Sequence, residues 1–234
     1  MADTTLRQAF SDIANAIRAK GVTGTMTPLQ MPTKIGTIYA SKYGVSGDSV
    51  IGNVDQNGEL QPPSTSFTFQ SSDILSIPIN GLYNKFYRNP ALTEVNLPNL
   101  TTVGNYGMDA AFEYCTSLTT VDLSKVTGVG QYGIAYAFYG DTALKTIYLS
   151  SLSSAGSNGM NLMCHGCTAL ELVDFSEATE VPALSNVNAF SNTNNTYSIV
   201  VPDSLYSSWI AASNWSDSTI VGHIVKASEY TPAS

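Results

Sequence analysis

The chain has 234 residues, enough for one large domain or a modest domain with small appendages. Charged residues make up only 12% of it, against a usual ~25%, and Ser, Thr, Asn, Gly and Tyr take their place, a composition common in extracellular and virion adhesive proteins. A net charge of −8 argues against nucleic acid or an anionic membrane as partner, and no run approaches the ~18 apolar residues of a membrane span.

The opening Met1-Ala2-Asp3-Thr4-Thr5 lacks the basic and apolar regions of a secretory signal. That fits a protein used without that export route, or one whose signal has been removed. Residues 4–20 read as an amphipathic helix, with Leu6, Phe10, Ile13 and Ile17 on one face and Gly21 placed to end it. Thr27-Pro28-Leu29-Gln30 has the cap, proline and capping-box residues of a second helix start; Met31-Pro32 interrupts, and Ile35 and Ile38 continue an apolar face. Residues 1–40 are therefore predicted as an N-terminal helical segment. It is too short to bury its own stripe and is expected to pack on the rest of the chain or self-associate. Residues 41–73 read as a linker and N-terminal cap, rich in Gly, Ser, Asn, Asp and Pro before the strand-like Phe67-Thr68-Phe69.

From there the sequence repeats. Phe86, Phe112, Phe138, Cys164 and Phe190 are each 26 residues apart, and Leu92, Leu118, Leu144 and Leu170 keep the same step. So do Val95, Val121, Ile147, Val173 and Ile199. A fixed period between apolar positions marks a solenoid, in which each rung buries its inward side chains against the next. Ile74-Leu75-Ser76-Ile77-Pro78-Ile79 is expected, with Phe67-Thr68-Phe69, to form a degenerate first rung that blunts the sheet end. Val-x-Leu alternation predicts a short strand in each rung. The pairs Gly104/Gly107, Gly130/Gly133 and Gly156/Gly159 are read as corners that need positive φ or close backbone approach. The fourth rung lacks such a pair. Residues 202–234 are predicted as a C-terminal cap: a short helix carrying Leu205, Trp209 and Ile210, then Trp215, then a last strand from Ile220-Val221 and Ile224-Val225.

The unit Phe112-x-x-Cys115-x-x-Leu118-x-x-Val121-x-Leu123, with its 26-residue step, closely resembles the BspA-like class of bacterial leucine-rich repeats. The resemblance covers residues 74–201. It implies an α/β leucine-rich repeat solenoid, with short parallel strands stacked in a right-handed superhelix between the helical segment and the capping helix. Characterised members of that class look like surface adhesins binding matrix proteins, cells or sugars. The flanks are similar to proteins of phage tail regions: Leu6 to Ile17 with Met31-Pro32 at the start, and Val201-Pro202-Asp203-Ser204-Leu205-Tyr206 with Trp209 and Asn214-Trp215 at the end.

Candidate chemistry is sparse. Cys164-His165-Gly166-Cys167 invites a metal or redox reading, but a structural zinc needs four ligands and only Cys115 and His223 remain. Cys164 fills the Phe slot and Cys167 the slot of Cys115, so buried thiols packing as small hydrophobes explain the motif. Cys115 and Cys167 stand two rungs apart, roughly 10 Å at strand spacing, beyond the ~7 Å reach of a disulfide. No metal site, cofactor or catalytic residue is assigned. The outward strand slots are the tentative binding face. One column is Glu94, Thr120, Thr146 and Leu172, its neighbour Asn96, Asp122, Tyr148 and Asp174. Tyr87, Tyr114 and Tyr139 add amphipathic rings.

The expected function is non-enzymatic recognition of a protein or carbohydrate on a cell surface. The carrier would be a phage or prophage tail, or else a secreted or cell-surface adhesin; neither nucleic acid nor membrane insertion enters. A glycan-degrading enzyme using Asp122 and Asp174 is the remote alternative: roughly 10 Å apart at strand spacing, they only brush the upper end of the ~6.5–9.5 Å of inverting glycosidases.

Overall fold

The computed structural model describes residues 53–54, 60–61, 67–72 and 74–232. The predicted N-terminal helices and their self-association lie outside these residues. Strands β1 (Asn53–Val54) and β2 (Leu60–Gln61) pair antiparallel. The rest of the described chain winds through three sides, one of them a long parallel sheet and the second a short one.

The long sheet runs, in spatial order, through β3 (Phe67–Gln70), β5 (Leu92–Asn96), β7 (Thr120–Asp122), β9 (Thr146–Tyr148), β11 (Leu172–Asp174), β12 (Ser198–Val201) and β13 (Ile224–Lys226). Its register follows the 26-residue period: Val95 pairs with Val121, Val121 with Ile147, Ile147 with Val173 and Val173 with Ile199. All five are fully buried. β-branched residues at these slots suit a pleated, packed surface, and a register slip of one residue would turn the whole row outward.

The short sheet stacks β4 (Ser76–Ile77), β6 (Thr102–Val103), β8 (Gly128–Val129) and β10 (Ser154–Ala155). It ends after three full rungs, where the fourth loses its glycine pair. The chain there continues instead into a 3₁₀ turn at Val187–Phe190. The predicted first rung is present in both sheets, as β3 and β4.

The glycine corners work by close approach alone. A Cβ on Gly130 would lie 2.6 Å from the Asn105 backbone nitrogen and 2.8 Å from the Gly104 carbonyl carbon; one on Gly156 would lie 2.7 Å from Gln131 N. Neither has positive φ. Gly130→Ala is therefore expected to destabilise by ~2 kcal/mol. Gly222→Ala, where an added Cβ meets nothing within 4 Å, should stay within about 0.5 kcal/mol of the parent. Urea unfolding of both compares them; equal midpoints would show that the rungs can part at this corner.

The third side is a stack of turns that the periodicity did not announce. Every fourth residue is left-handed: Asn80, Asn84 and Arg88 in one rung, Tyr106, Ala110 and Tyr114 in the next, Tyr132, Tyr136 and Gly140 in the third. Alternate N–H groups bond across rungs, Leu82 to Gly107 O at 2.7 Å, Phe86 to Ala111 O at 2.8 Å and Arg88 to Glu113 O at 2.7 Å. Those between bond back three residues, as Lys85 does to Leu82 O at 3.1 Å. A left-handed non-glycine residue costs roughly 1–2 kcal/mol, and the cross-rung ladder offsets it. The α component of the expected fold is consequently small: among the described residues the one α-helix is α1 (Tyr206–Ala211), with 3₁₀ turns elsewhere.

Trp209 and Trp215 are fully buried, with ring centroids 5.5 and 5.8 Å from Phe175, and Trp215 Nε1 donates to Pro182 O at 2.8 Å. Ile224–Lys226 is the last strand of the long sheet. Val221 lies in a 3₁₀ turn, Val221–His223, rather than in a strand.

Candidate binding surfaces

The two outward columns emerge in register. Glu94, Thr120, Thr146 and Leu172 line up across adjacent strands, as do Asn96, Asp122, Tyr148 and Asp174, so all eight predicted residues share the outer surface of the long sheet. Thr68 and Ser198 extend the first column and Gln70 and Val200 the second. Thr68 Oγ1 donates to Glu94 Oε2 at 3.5 Å.

The polar groups of this surface are partly committed to strand exits. Asp122 Oδ1 accepts from Ser124 N at 3.0 Å and Asp174 Oδ1 from Ser176 N at 2.9 Å, the same turn two rungs apart. Asp174 Oδ2 also accepts from Ser150 Oγ at 2.5 Å. Asn96 occupies the equivalent position, yet its Oδ1 is buried without a partner. The reason is local: the residue two ahead is Pro98, which has no N–H to give.

One end of the surface lies beside the chain's own tail. Val200 is buried despite its outward slot. After β13 the chain turns, with Ala227 N on Val201 O at 2.9 Å, and carries Tyr230 close to Tyr148, Glu171 and Asp174. Burial first, then those neighbouring charges, raises the Tyr230 phenol. The open stretch is thus Glu94, Asn96, Thr120, Asp122, Thr146 and Tyr148, with Leu172 and Asp174 beside the tail.

The cysteine motif resolves into packing. Cys115, Cys164 and Cys167 are free and buried. Cys115 Sγ donates to Phe86 O and Cys167 Sγ to Phe138 O, both at 3.0 Å, the same bond repeated two rungs apart. Burial pushes both thiols up, the reverse of a reactive cysteine. His165 stacks on Tyr139 at 4.7 Å; its Nδ1–H donates to Ser191 Oγ at 2.7 Å and its Nε2 accepts from Asn192 Nδ2 at 3.0 Å. Both ring nitrogens are occupied by the neighbouring rung. No group of three or more His, Cys, Asp or Glu among the described residues could hold a metal ion.

The BspA type leucine-rich repeat region matches residues 80–209 in six copies, more than half of the chain. The chain belongs to that family. No curated protein and no solved structure matches it. A BspA-type repeat is typically a non-enzymatic binding scaffold. In this one the burial pattern of the long sheet separates the roles: its inward slots, Val95, Val121, Ile147, Val173 and Ile199, are apolar and buried, while the outward ones vary from rung to rung. Among the described residues, no helix is long and apolar enough to cross a membrane.

A groove lies on the turn side, away from the outward columns of the long sheet. Tyr83, Tyr87 and Tyr136 stand around Ala110, with Asp109 and Glu113 beside it. Of these, Tyr87 is among the amphipathic rings that the sequence offers for contact, and Tyr83, Tyr136, Asp109 and Glu113 are not. The signal was present as a small residue, Ala110, in a column whose other members are Asn84, Tyr136 and Leu162.

Proposed function

We propose that this BspA-type protein is a surface-recognition protein without catalytic activity, docking on a protein or glycan of a cell surface through the open stretch of its long sheet. The observation that carries the reading is the contrast within each strand. Val95, Val121, Ile147 and Val173 hold their type while Glu94, Thr120, Thr146 and Leu172, and Asn96, Asp122, Tyr148 and Asp174, do not. A scaffold built that way keeps its core while its outer face is free to match a partner. Tyr148, 37% exposed, adds a rigid amphipathic ring to that face. The turn hydrogen bonds of Asp122 and Asp174 favour a structural role for both over general acid–base work.

The carrier we favour is a phage or prophage tail, supported by the likeness of both flanks to tail-region proteins. Surface-associated and extracellular placement is common among BspA-type repeats, and a secreted or wall-bound adhesin is the competing reading.

Labelled full-length protein applied to whole bacteria and to a glycan array tests the binding role. Tyr148→Ala with Thr120→Arg is expected to reduce retention about ten-fold, as for a central hot spot. Retention unchanged by that pair would move the contact off this sheet. Immunogold labelling of induced particles separates the carriers: label on tails supports the virion reading, and label confined to cell walls supports the adhesin.

A further inference from the structure

The turn side carries a groove of about 410 Å³ lined by three tyrosines and two carboxylates. It exists because of one small residue. In the left-handed column Asn84, Ala110, Tyr136, Leu162, only Ala110 sends no side chain beyond Cβ, so the Tyr136 ring forms a wall and Asn84 the opposite edge. Tyr83 and Tyr87, 45% and 43% exposed, stand on the same rim. Asp109 and Glu113 flank Ala110 in the same rung and present carboxylates to the space. The volume falls in the usual ~300–1,000 Å³ range of small-ligand sites.

We propose that this groove binds an organic ammonium group, held against the faces of Tyr83, Tyr87 and Tyr136 and neutralised by Asp109 and Glu113.

Three observations converge on that chemistry. Aromatic faces attract a cation through the ring quadrupole, most strongly where water is thinned out. The rim already shows the preference at work: the Arg88 guanidinium lies 5.1 Å from the Tyr87 ring centroid and 5.2 Å from that of Tyr114. The carboxylates are also electrostatically unsettled. Burial pushes Asp109 up to about 6, and burial together with the Asp109 charge raises Glu113, which Arg88 only partly offsets. A cation entering between them would relieve both. An anion would meet two carboxylates, and a neutral ligand would leave their repulsion in place.

The test uses the full chain in phosphate buffer, titrated calorimetrically with choline and, separately, with Nα-acetyl-lysine methylamide. Saturable binding is expected with a dissociation constant on the order of 1 mM. The tighter arm identifies a quaternary or a primary ammonium as the recognised form. Ala110→Leu should weaken it by about ten-fold or more by filling the groove. The fold tolerates that residue, because Leu162 occupies the same column with φ 52°. Asp109→Asn with Glu113→Gln is the second variant, expected to weaken binding equally while leaving the groove open. Affinity should also fall as pH drops through about 6 in the parent and not in Asp109→Asn; Glu113, Arg88 and the three tyrosines are the other ionisable groups around that carboxyl. Tyr148→Ala, on the long sheet, should leave all of this unchanged, which separates this site from surface docking. Absence of saturable binding by either cation would overturn the proposal. So would full affinity in Ala110→Leu, or maltose binding as tightly as choline.

Discussion

Phe112→Ala is expected to lower the unfolding free energy by ~4 kcal/mol. Phe112 is fully buried in mid-stack, its ring 5.3 Å from Phe86 and 5.8 Å from Phe138 between centroids, both near-parallel. Truncation removes the ring's own transfer free energy and opens a cavity that two rigid rungs cannot close. Because each rung touches only its neighbours, the lesion also weakens the coupling between the two halves of the stack. The fourth rung shows what the fold accepts instead. There the buried pair Ala137-Phe138 is replaced by the buried pair Met163-Cys164, a small residue enlarged beside a large one reduced. Copying that exchange as Ala111→Met with Phe112→Cys should therefore recover about 1–2 kcal/mol relative to Phe112→Cys alone, since methionine fills irregular gaps. Urea unfolding, followed by tyrosine fluorescence and circular dichroism together, measures all three variants. A loss below about 1 kcal/mol for Phe112→Ala would mean that the phenylalanine ladder is not a central support of the stack. A double variant no better than Phe112→Cys would mean that volume exchange does not explain the fourth rung.

The long sheet was legible in the sequence because its register and its period are the same thing. A step of 26 residues between Val95, Val121 and Ile147 is a direct statement of which residues pair. The outward columns followed from strand alternation, and the eight candidate residues consequently lie on one surface. Two features were not legible. The turn side uses left-handed backbone at Tyr106, Tyr132, Tyr136 and Leu162, residues that carry none of the usual glycine or asparagine signal for positive φ. Its inward and outward positions are set by bonds three residues back alternating with bonds to the next rung, so neither helical nor strand periodicity describes it. The groove around Ala110 is a consequence of that backbone. Its lining comes from three successive rungs, and their meeting depends on a conformation that local propensity disfavours. The approach of Tyr230 to Tyr148, Glu171 and Asp174 was equally invisible, since it depends on the direction of one turn after the last strand.

Asp141→Cys is expected to stabilise the protein by about 3 kcal/mol at neutral pH, the scale of an uncompensated buried charge. Asp141 takes the slot that Cys115 and Cys167 fill on either side, and it is the one fully buried carboxylate among the described residues. Neither of its carboxyl oxygens has a hydrogen-bond partner. The Cys115 N–H beside it is already committed to Phe112 O at 2.9 Å. Burial, with smaller contributions from Cys167 and Glu113, raises the carboxyl well above its ordinary value. The two cysteines show what the slot favours, a donor to the carbonyl 29 residues earlier, which for this rung is Phe112 O. A protonated Asp141 supplies such a donor and an ionised one does not. The sign follows. Above the unfolded-state pKa of about 4, the folded protein keeps a proton that the unfolded chain has released. Stability from this group is therefore complete in acid and is lost as pH rises toward the folded pKa. Measured under reductant, to keep neighbouring thiols apart, the difference in unfolding free energy between parent and Asp141→Cys should be small near pH 4 and widen steadily above it. Asp141→Asn removes the charge without adding a thiol and should show the same widening difference. A parent whose stability relative to both variants stays flat across that range would place an ionised carboxylate in the core with a partner that the geometry does not supply.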